Sequence, residues 1–396
     1  MFETLQMAPP DAILGLTEAF KADSNPAKIN LSVGVYQNGQ GVTPILDSVK
    51  QAERRLIDSE TSKGYLGIDG LPAYAARVRE LLFGADHEIL TAARAATVQT
   101  PGGTGALRVA ADFVVESYPD ARIWCSKPTW ANHPNIFKAA GLEVKQYSYL
   151  NAEGIGLDFE GMLRDLSEAK VGDVICLHAC CHNPTGVDPT PEQWAKIGDL
   201  VQEKGLLPLV DFAYQGFGDG LTSDAAGLLE LARPNAELLV CSSFSKNFSL
   251  YGERVGALTV VASDTNSAQA VLSHMKARVR SNYSNPPRHG ASIVAEILGC
   301  AELRQLWEQE VDEMRGRIKQ MRSQFVAAMK ERKGDQDFSF IDRQRGMFSF
   351  SGLTPLQVDE LRKRYSIYIV GSGRINVAGM TEKNLPTLCD AIAAVL

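Results

Sequence analysis

The sequence predicts an α/β protein with two parts: a large domain whose mostly parallel central sheet is flanked by helices, and a smaller α/β domain. Short apolar segments alternate with segments of helical spacing through the middle of the chain. This alternation is typical of a parallel sheet covered on both faces, because parallel strands need crossover helices. The length of 396 residues also favours more than one domain.

The predicted elements follow in chain order. Helical spacing of apolar residues predicts helices over 44–60 and 103–118. Short apolar runs predict four strands, namely RIWC (122–125), DVICLH (173–178), LLPLVDF (206–212) and ELLVC (237–241). A further helix over 191–205 lies between two of these strands, since Pro191 follows Thr190 at its start and Gly205 stands at its end.

Residues 301–332 form the longest predicted helix, with apolar residues such as Trp307 and Phe325 at every third or fourth position. Such a stripe either binds a partner or packs between domains, and packing between domains is the favoured interpretation. A strand–helix–strand region and a C-terminal helix over 381–396 follow. We therefore expect three segments: an N-terminal arm with part of the small domain (1–43), the large domain (44–311) and the small domain (312–396).

Composition narrows the functional classes. The net charge of −7 gives no indication of binding to nucleic acid or to an anionic membrane surface. The N-terminus has neither the basic nor the apolar region of a secretory signal, and no apolar run approaches the length of a membrane span. The seven cysteines are odd in number and scattered, which favours reduced thiols in a cytoplasmic protein.

Polar or aromatic residues follow each predicted strand, at the edge of the sheet where ligands of open α/β folds bind. In chain order they are Trp130 and His133; His178, His182 and Asn183; Asp211 and Tyr214; and Ser243, Ser245 and Lys246. The strand pattern requires none of them. Four such ends that converge indicate a binding site. Lysine is almost never buried without a partner or a function, so Lys246 is the candidate reactive group.

The segment QTPGGTGALR (99–108) opens a helix with three glycines, which is typical of a phosphate site at a helix N-terminus. Arg254 adds a cation of the type that binds phosphate. NAD is disfavoured because Gly103-Thr104-Gly105 lacks the third glycine of G-x-G-x-x-G. A metal bound by His178 and His182 is also disfavoured, since they lie in a strand-like run and no H-E-x-x-H motif is present.

Pyridoxal phosphate fits the remaining set of residues. The amine of Lys246 can condense with the cofactor aldehyde as a Schiff base and, once released, move the α-proton of the substrate. Asp211 can keep the pyridine nitrogen protonated. Asn183 and Tyr214 can hydrogen-bond the phenolic oxygen of the ring, and Trp130 can stack on its face.

Seven segments together resemble the class I aminotransferases, and the likeness runs nearly end to end. They are KGYLGIDG (63–70), QTPGGTGALR (99–108), HACCHNPTGVDP (178–189), VDFAYQGF (210–217), SSFSKNFSLYGERVG (242–256), SNYSNPPRHGA (281–291) and SGRINVAGM (372–380). The resemblance is strongest to the bacterial aspartate branch, with the aromatic branch as its sister. It implies the type I fold of pyridoxal-phosphate-dependent transferases and closure of the domains over the substrate.

The implied activity is the reversible, ping-pong transfer of an amino group from L-aspartate to 2-oxoglutarate, giving oxaloacetate and L-glutamate through a Schiff base on Lys246. The implied catalytic residues are Lys246, Asp211 and Tyr214. The implied cofactor-binding residues are these three together with Tyr65, Gly103, Thr104, Trp130, Asn183, Ser243, Ser245 and Arg254. The implied substrate-binding residues are Gly34, Trp130, Asn183, Arg280 and Arg374.

The two arginines have different implied roles. The resemblance implies that Arg374 binds the α-carboxylate of the substrate and that Arg280 binds the distal carboxylate. It also implies that Tyr65 and Arg280 enter the site of a neighbouring subunit, so that a homodimer builds two shared sites. Two arginines that bind two carboxylates bidentately would select aspartate and glutamate.

The branch within the family rests on residues at the edge of the pocket. Val35, Thr43, Thr104 and Asn285 resemble the aspartate branch, whereas Gln37 and Gly64 match neither branch. Aspartate is therefore the favoured substrate, and an aromatic or dual-specificity aminotransferase is the alternative. A β-decarboxylation or elimination on the same cofactor and a non-catalytic cofactor-binding regulator stay open as further hypotheses.

Overall fold

The structure is a computed structural model that describes residues 2–7 and 14–396. Residues 1 and 8–13, which belong to the predicted N-terminal arm, lie outside the described residues. The fold is α/β, as the sequence predicts, and its large sheet is mostly parallel.

The helices alternate with the strands along most of the chain. The α-helices are α1 (Leu14–Ala22), α2 (Asp47–Ser59), α3 (Pro72–Phe83), α4 (Glu88–Thr91), α5 (Gly102–Ser117), α6 (His133–Ala140), α7 (Phe159–Leu166), α8 (Pro191–Lys204), α9 (Ala226–Leu231), α10 (Thr265–Asn282), α11 (His289–Gly299), α12 (Ala301–Arg332), α13 (Ser339–Arg343), α14 (Pro355–Tyr365) and α15 (Leu385–Val395). The strands are β1 (Ile29–Asn30), β2 (Ala95–Pro101), β3 (Arg122–Lys127), β4 (Glu143–Ser148), β5 (Val174–His178), β6 (Leu207–Phe212), β7 (Leu238–Ser243), β8 (Val255–Val261), β9 (Phe348–Phe350), β10 (Ile367–Tyr368) and β11 (Arg374–Asn376).

The large sheet has seven strands in the order β2-β8-β7-β6-β5-β3-β4. The pairs β7–β6, β6–β5, β5–β3 and β3–β4 are parallel, while β8 runs antiparallel to both of its neighbours. The central strands are buried along their whole length, because helices cover both faces of the sheet. Their carboxyl ends therefore meet at one edge, where the cavity described below opens.

The four predicted strands and the helices α2, α5, α8 and α12 are present, with shifts at their ends. The strand predicted over 237–241 continues to Ser243, because Ser242 and Ser243 still pair with neighbouring strands. The helix predicted from residue 381 begins only at Leu385, because Thr381 and Asn384 hydrogen-bond to each other in a turn.

The long helix α12 connects the two parts of the structure. It packs against the helices α2 and α11 of the predicted large domain and against the helices α13 and α15 of the C-terminal region. Its apolar stripe, including Trp307 and Phe325, is fully buried. Next to it, β9 pairs antiparallel with β11, and β1 from the N-terminal part pairs with β10. No helix in the described part of the chain is long and apolar enough to cross a membrane.

Candidate active site

A cavity of about 270 Å³ lies beyond the carboxyl ends of the central strands. Twelve of the fourteen predicted site residues line it: Gly34, Gly103, Thr104, Trp130, Asn183, Asp211, Tyr214, Ser243, Ser245, Lys246, Arg254 and Arg374. They come from the first turn of α5, from the loops after β3, β5, β6 and β7, from the ends of β6 and β7, from the segment after β1, and from β11. The topology thus brings together side chains that are as far apart as residues 34 and 374.

Lys246 stands in the turn that follows β7, with its amine open to the cavity. Its Nζ atom lies 4.9 Å from the centre of the Tyr214 ring. Burial lowers the pKa of this amine, and the Arg254 charge lowers it further, although Asp211 acts in the opposite direction. Within the described residues no carboxylate forms an ion pair with Lys246. A half-buried amine with a lowered pKa is a nucleophile and a base.

Asp211 is the penultimate residue of the strand β6, and it lines the cavity. Its Oδ2 atom is 3.0 Å from Nε2 of His133, whose Nδ1 atom lies 2.8 Å from the hydroxyl of Thr129. Burial raises the pKa of Asp211, but the hydrogen bond from His133 and the charge of Lys246 act in the opposite direction, and the net shift is downward. The carboxylate therefore stays charged and can hold a protonated ring nitrogen.

Arg374 is buried against the opposite wall of the cavity. Its Nη2 atom donates to the carbonyl of Ser32 at 2.6 Å and its Nη1 atom to Oδ1 of Asn183 at 3.3 Å. The guanidinium lies over the Phe348 ring, 4.2 Å from its centre. Its Nε atom has no hydrogen-bond partner, and burial lowers the pKa of the group. A guanidinium that lines a cavity and has no carboxylate partner among the described residues fits a carboxylate ligand.

Asn183 and Tyr214 lie side by side between these groups. The Asn183 amide nitrogen is 3.4 Å from the Tyr214 hydroxyl. Burial raises the pKa of Tyr214, so the phenol stays protonated. The amide and the phenol can therefore both donate to one acceptor oxygen on a ligand in the cavity.

The first turn of α5 faces the cavity with backbone N–H groups that have no side-chain cap. Ser243 and Ser245 add hydroxyls, and Arg254 adds a cation. A Cβ atom at Gly103 would lie 3.1 Å from Cβ of Ser243, so a larger residue would crowd this surface. Free helix N–H groups, hydroxyls and a guanidinium form a binding site for a phosphate group. The residues present thus fit pyridoxal phosphate.

The remaining histidines pack beneath the site. His178 is buried with both ring nitrogens unpartnered, and burial together with the charge of His133 lowers its pKa to about 3. His182 is fixed by Ser126 and Thr185 at 2.9 Å each. Burial also lowers the pKa of His182 well below its ordinary value, so both rings are neutral at physiological pH.

Among residues 2–7 and 14–396, two groups of side chains place possible metal-ligand atoms within 4.8 Å of one another: His133, His178 and Asp211; and Cys180, Cys181 and Asp224. In the first group, His133 and Asp211 are already hydrogen-bonded to each other. In the second group, the Asp224 carboxylate accepts three backbone N–H groups and fastens the loop around it. We assign a metal to neither group.

Tyr65 and Arg280 are the two predicted site residues that do not line the cavity of this chain. Tyr65 is 93% exposed, and Arg280 lies on the exposed face of α10, where it donates to the Ser284 hydroxyl. Their predicted place is the site of a neighbouring subunit. That prediction concerns a second chain and stays a prediction.

Four lining residues were not predicted: Leu107, Ala213, Tyr251 and Phe348. Tyr251 stands between Lys246 and Arg254 in the sequence, and this position could have indicated that it lies at the site. Its hydroxyl accepts a hydrogen bond from the backbone N–H of Tyr36 at 2.9 Å. Phe348 has no such signal, because it reaches the cavity from the C-terminal region.

The comparisons with known proteins agree with this geometry. The family model for aminotransferase class I and II matches residues 26–392. The aspartate aminotransferases of Salmonella typhi and Escherichia coli (strain K12) are 56% and 55% identical over the full length of both chains. The aromatic-amino-acid aminotransferase of Pseudomonas aeruginosa is 48% identical and covers all of this chain and 98% of its own.

A solved structure has nearly the same fold. The aromatic-amino-acid aminotransferase from Burkholderia pseudomallei, covalently bound to pyridoxal phosphate, superimposes with a TM-score of 0.98 at 49% identity. The match covers all of this chain and 99% of that chain.

Proposed function

This chain belongs to the class I and II aminotransferases, and from that premise we propose that it transfers the amino group of L-aspartate to 2-oxoglutarate, giving oxaloacetate and L-glutamate. It is a pyridoxal-phosphate-dependent aminotransferase. One observation carries the proposal: a single cavity combines the Lys246 amine, the Asp211 carboxylate and the buried Arg374 guanidinium. Identity to the aspartate aminotransferases of Salmonella typhi and Escherichia coli (strain K12), 56% and 55%, is also higher than the 48% to the aromatic enzyme of Pseudomonas aeruginosa.

The residues around the cavity would hold the cofactor at both ends. The phosphate would be bound by the first turn of α5, with Gly103 and Thr104, and by the groups Ser243, Ser245 and Arg254. Asp211 would bind the protonated ring nitrogen, Asn183 and Tyr214 the ring oxygen, and Trp130 one face of the ring. Pyridoxal phosphate, when bound, supplies an aldehyde and an electron-withdrawing ring that stabilises negative charge at the substrate α-carbon.

Lys246 would perform two tasks. Its amine would hold the cofactor covalently until an amino acid replaces it, and the lowered pKa favours this role because the neutral amine is the nucleophile. The released amine would then move the proton from the α-carbon of the substrate to the cofactor within the same half-reaction, and the second half of the ping-pong cycle would run this transfer in reverse. Asp211 keeps its negative charge throughout, because His133 continues to donate to it.

Substrate selection would depend on two arginines. Arg374 would take the α-carboxylate, because its guanidinium lines the cavity. Arg280 would take the distal carboxylate from a second subunit, and Tyr65 would reach the cofactor phosphate there. We propose a homodimer on this basis. It is supported by the exposure of Tyr65. It is also supported by the cavity lining, where the cationic side chains are Lys246, Arg254 and Arg374, which already have other proposed roles.

The proposal also includes a division into domains and a cellular location. The division into a mixed N-terminal segment (1–43), a large domain (44–311) and a small domain (312–396) is supported by the position of α12 between the two packed regions. A cytoplasmic location is supported by the seven cysteines, all of which carry free thiols.

An aromatic or dual-specificity aminotransferase is the second candidate. Two observations favour it: the near-identical fold of the Burkholderia pseudomallei enzyme, and Gly64, which leaves space beside Tyr65. The only nearby atom that a Cβ at Gly64 would meet is the Ser62 hydroxyl at 3.2 Å. A larger substrate side chain therefore has room if Tyr65 borders the site.

Product analysis tests the proposed function. The purified holoenzyme is incubated with aspartate, with and without 2-oxoglutarate, and the expected products are oxaloacetate and glutamate only when 2-oxoglutarate is present. Lys246→Ala is expected to abolish turnover. Retained turnover in this variant would contradict the role of Lys246, and alanine formed from aspartate without an acceptor would show a β-decarboxylase instead.

A further inference from the structure

Arg322 is a fully buried arginine on α12 that lacks an ion-pair partner in the part of the chain that the structure describes. Its guanidinium donates to the carbonyl oxygens of Ile341 (3.3 Å), Gly346 (2.6 Å) and Phe348 (2.8 Å), and to the hydroxyl of Ser349. Burial lowers its pKa to about 10, so it remains charged at neutral pH. A buried, unpaired charge is costly and needs an explanation.

The carbonyls that Arg322 binds belong to the segment that carries one wall of the cavity. The strand β9 pairs with β11 so that Phe350 lies opposite Arg374. The Phe348 ring lies under the Arg374 guanidinium at 4.2 Å. On its other side the ring is so close to Gly34 that a Cβ there would be 2.7 Å from the ring edge. The position of β9 therefore sets the position of Arg374.

Gly346 connects the same arginine to Asn183. Its backbone has a φ of +78°, and a Cβ at this position would overlap Cys181. Cys181 lies two residues before Asn183, whose Oδ1 atom accepts from Arg374 at 3.3 Å. The hydrogen bond from Arg322 to the Gly346 carbonyl therefore holds this close contact in place.

We infer that Arg322 is a positioning residue for the substrate α-carboxylate, which acts by holding β9 and Gly346 so that Arg374 and Asn183 keep their arrangement. The inference rests on the proposed function, since it takes Arg374 as the carboxylate-binding residue. A planar guanidinium can donate to four acceptors in fixed directions, whereas a lysine ammonium offers three donors around one point. A lysine at this position would therefore leave part of β9 without its hydrogen bonds to the helix α12.

The chain offers a matched control for a purely structural role. Arg94 is also buried and also donates to backbone carbonyls, those of Ala262 (2.8 Å) and Ala236 (2.9 Å), and pairs with Glu88. It lines no part of the cavity. Replacing either arginine by lysine removes donors to buried carbonyls, so both variants are expected to melt at a lower temperature.

The test measures KM and kcat for aspartate, and the Kd of succinate, for the holoenzymes of Arg322→Lys and Arg94→Lys. Succinate has two carboxylates and no amine, so its binding reports the carboxylate pocket without turnover. Arg322→Lys is expected to raise KM and the succinate Kd by about tenfold or more, since small displacements of positioning groups have large effects. The change in kcat and in cofactor affinity is expected to be smaller, and Arg94→Lys should stay within about twofold of the wild type.

A double-mutant cycle separates the inferred role from additive destabilisation. Because Arg322 acts through Arg374, Arg322→Lys should add little to the loss caused by Arg374→Lys. If Arg322→Lys does not fold, Ser349→Ala, which removes one of its contacts, should raise the succinate Kd in the same direction.

The inference is overturned if Arg322→Lys, or Ser349→Ala in its place, lowers the melting temperature but leaves KM and the succinate Kd within about twofold of the wild type. It is also overturned if the losses of Arg322→Lys and Arg374→Lys multiply in full. Failure of the proposed function looks different, because the wild-type holoenzyme itself would then show no transamination of aspartate.

Discussion

Replacing Gly102 by alanine tests the phosphate-binding surface most sharply. Gly102 has a φ of +75°, and a Cβ atom there would lie 2.5 Å from Nη2 and 3.0 Å from Cζ of Arg254. The left-handed backbone costs alanine about 1–2 kcal/mol, and the methyl group must also push the Arg254 guanidinium away. A lost charge-assisted hydrogen bond is worth about 1.5–3 kcal/mol, which corresponds to an increase of about 10- to 100-fold in the Kd of pyridoxal phosphate.

Gly154→Ala separates the backbone strain from the contact with Arg254. Gly154 has a similar φ of +72°, and a Cβ there would meet no atom within 4 Å. Both variants are expected to lose similar thermal stability in the apo form, but only Gly102→Ala should bind the cofactor more weakly. The assay is a spectroscopic titration of each apoenzyme with pyridoxal phosphate. A Kd for Gly102→Ala within about twofold of the wild-type value would refute the role of Arg254 in phosphate binding.

Two further predictions concern substrate choice and acid stability. Arg280→Leu is expected to lower kcat/KM for aspartate by about a hundredfold and to leave phenylalanine nearly unchanged, whereas equal losses would contradict charge matching by Arg280. Burial raises the pKa of Asp173, but hydrogen bonds from Arg122, Lys170 and Trp124 outweigh burial and bring it to about 2, below the ordinary 3.8. The stabilisation is therefore present above about pH 5 and lost as the pH falls towards 2. Asp173→Asn should reduce the free energy of unfolding at pH 7 by about 1–2 kcal/mol and flatten that acid-induced loss; an unchanged pH dependence in denaturant titrations would contradict it.

Most of the site was predictable because its residues follow strands whose apolar runs are plain in the sequence. Lys246 and Asp211 are examples, since a charged residue at or near the end of a buried strand has few reasons to be there. Arg374 was different, because only the family resemblance gave it a role. Its position depends on pairing between β9 and β11, and such pairing between short strands leaves no local pattern.

Some of the parts that were not predicted have a physical cause, whereas the strand β8 was not predicted although its run VGALTVV is apolar and fully buried. The edge strand β4 (EVKQYS) carries charged and polar residues because one side of it is exposed, so it lacks an apolar run. Phe348 and Arg322 acquire their roles only through contacts between distant segments. In the sequence, Arg322 follows Met321 on a helix rich in charged residues, and nothing distinguishes it from the solvated arginines around it.

The specificity of the first half-reaction tests the central claim most directly. The purified holoenzyme is mixed with aspartate or, separately, with phenylalanine, and the change in the absorbance of the cofactor is followed in a single turnover. A pocket that pairs arginines with two carboxylates predicts that aspartate reacts faster by at least about a hundredfold. Comparable rates for the two amino acids would contradict the aspartate assignment and place the enzyme in the aromatic or dual-specificity branch.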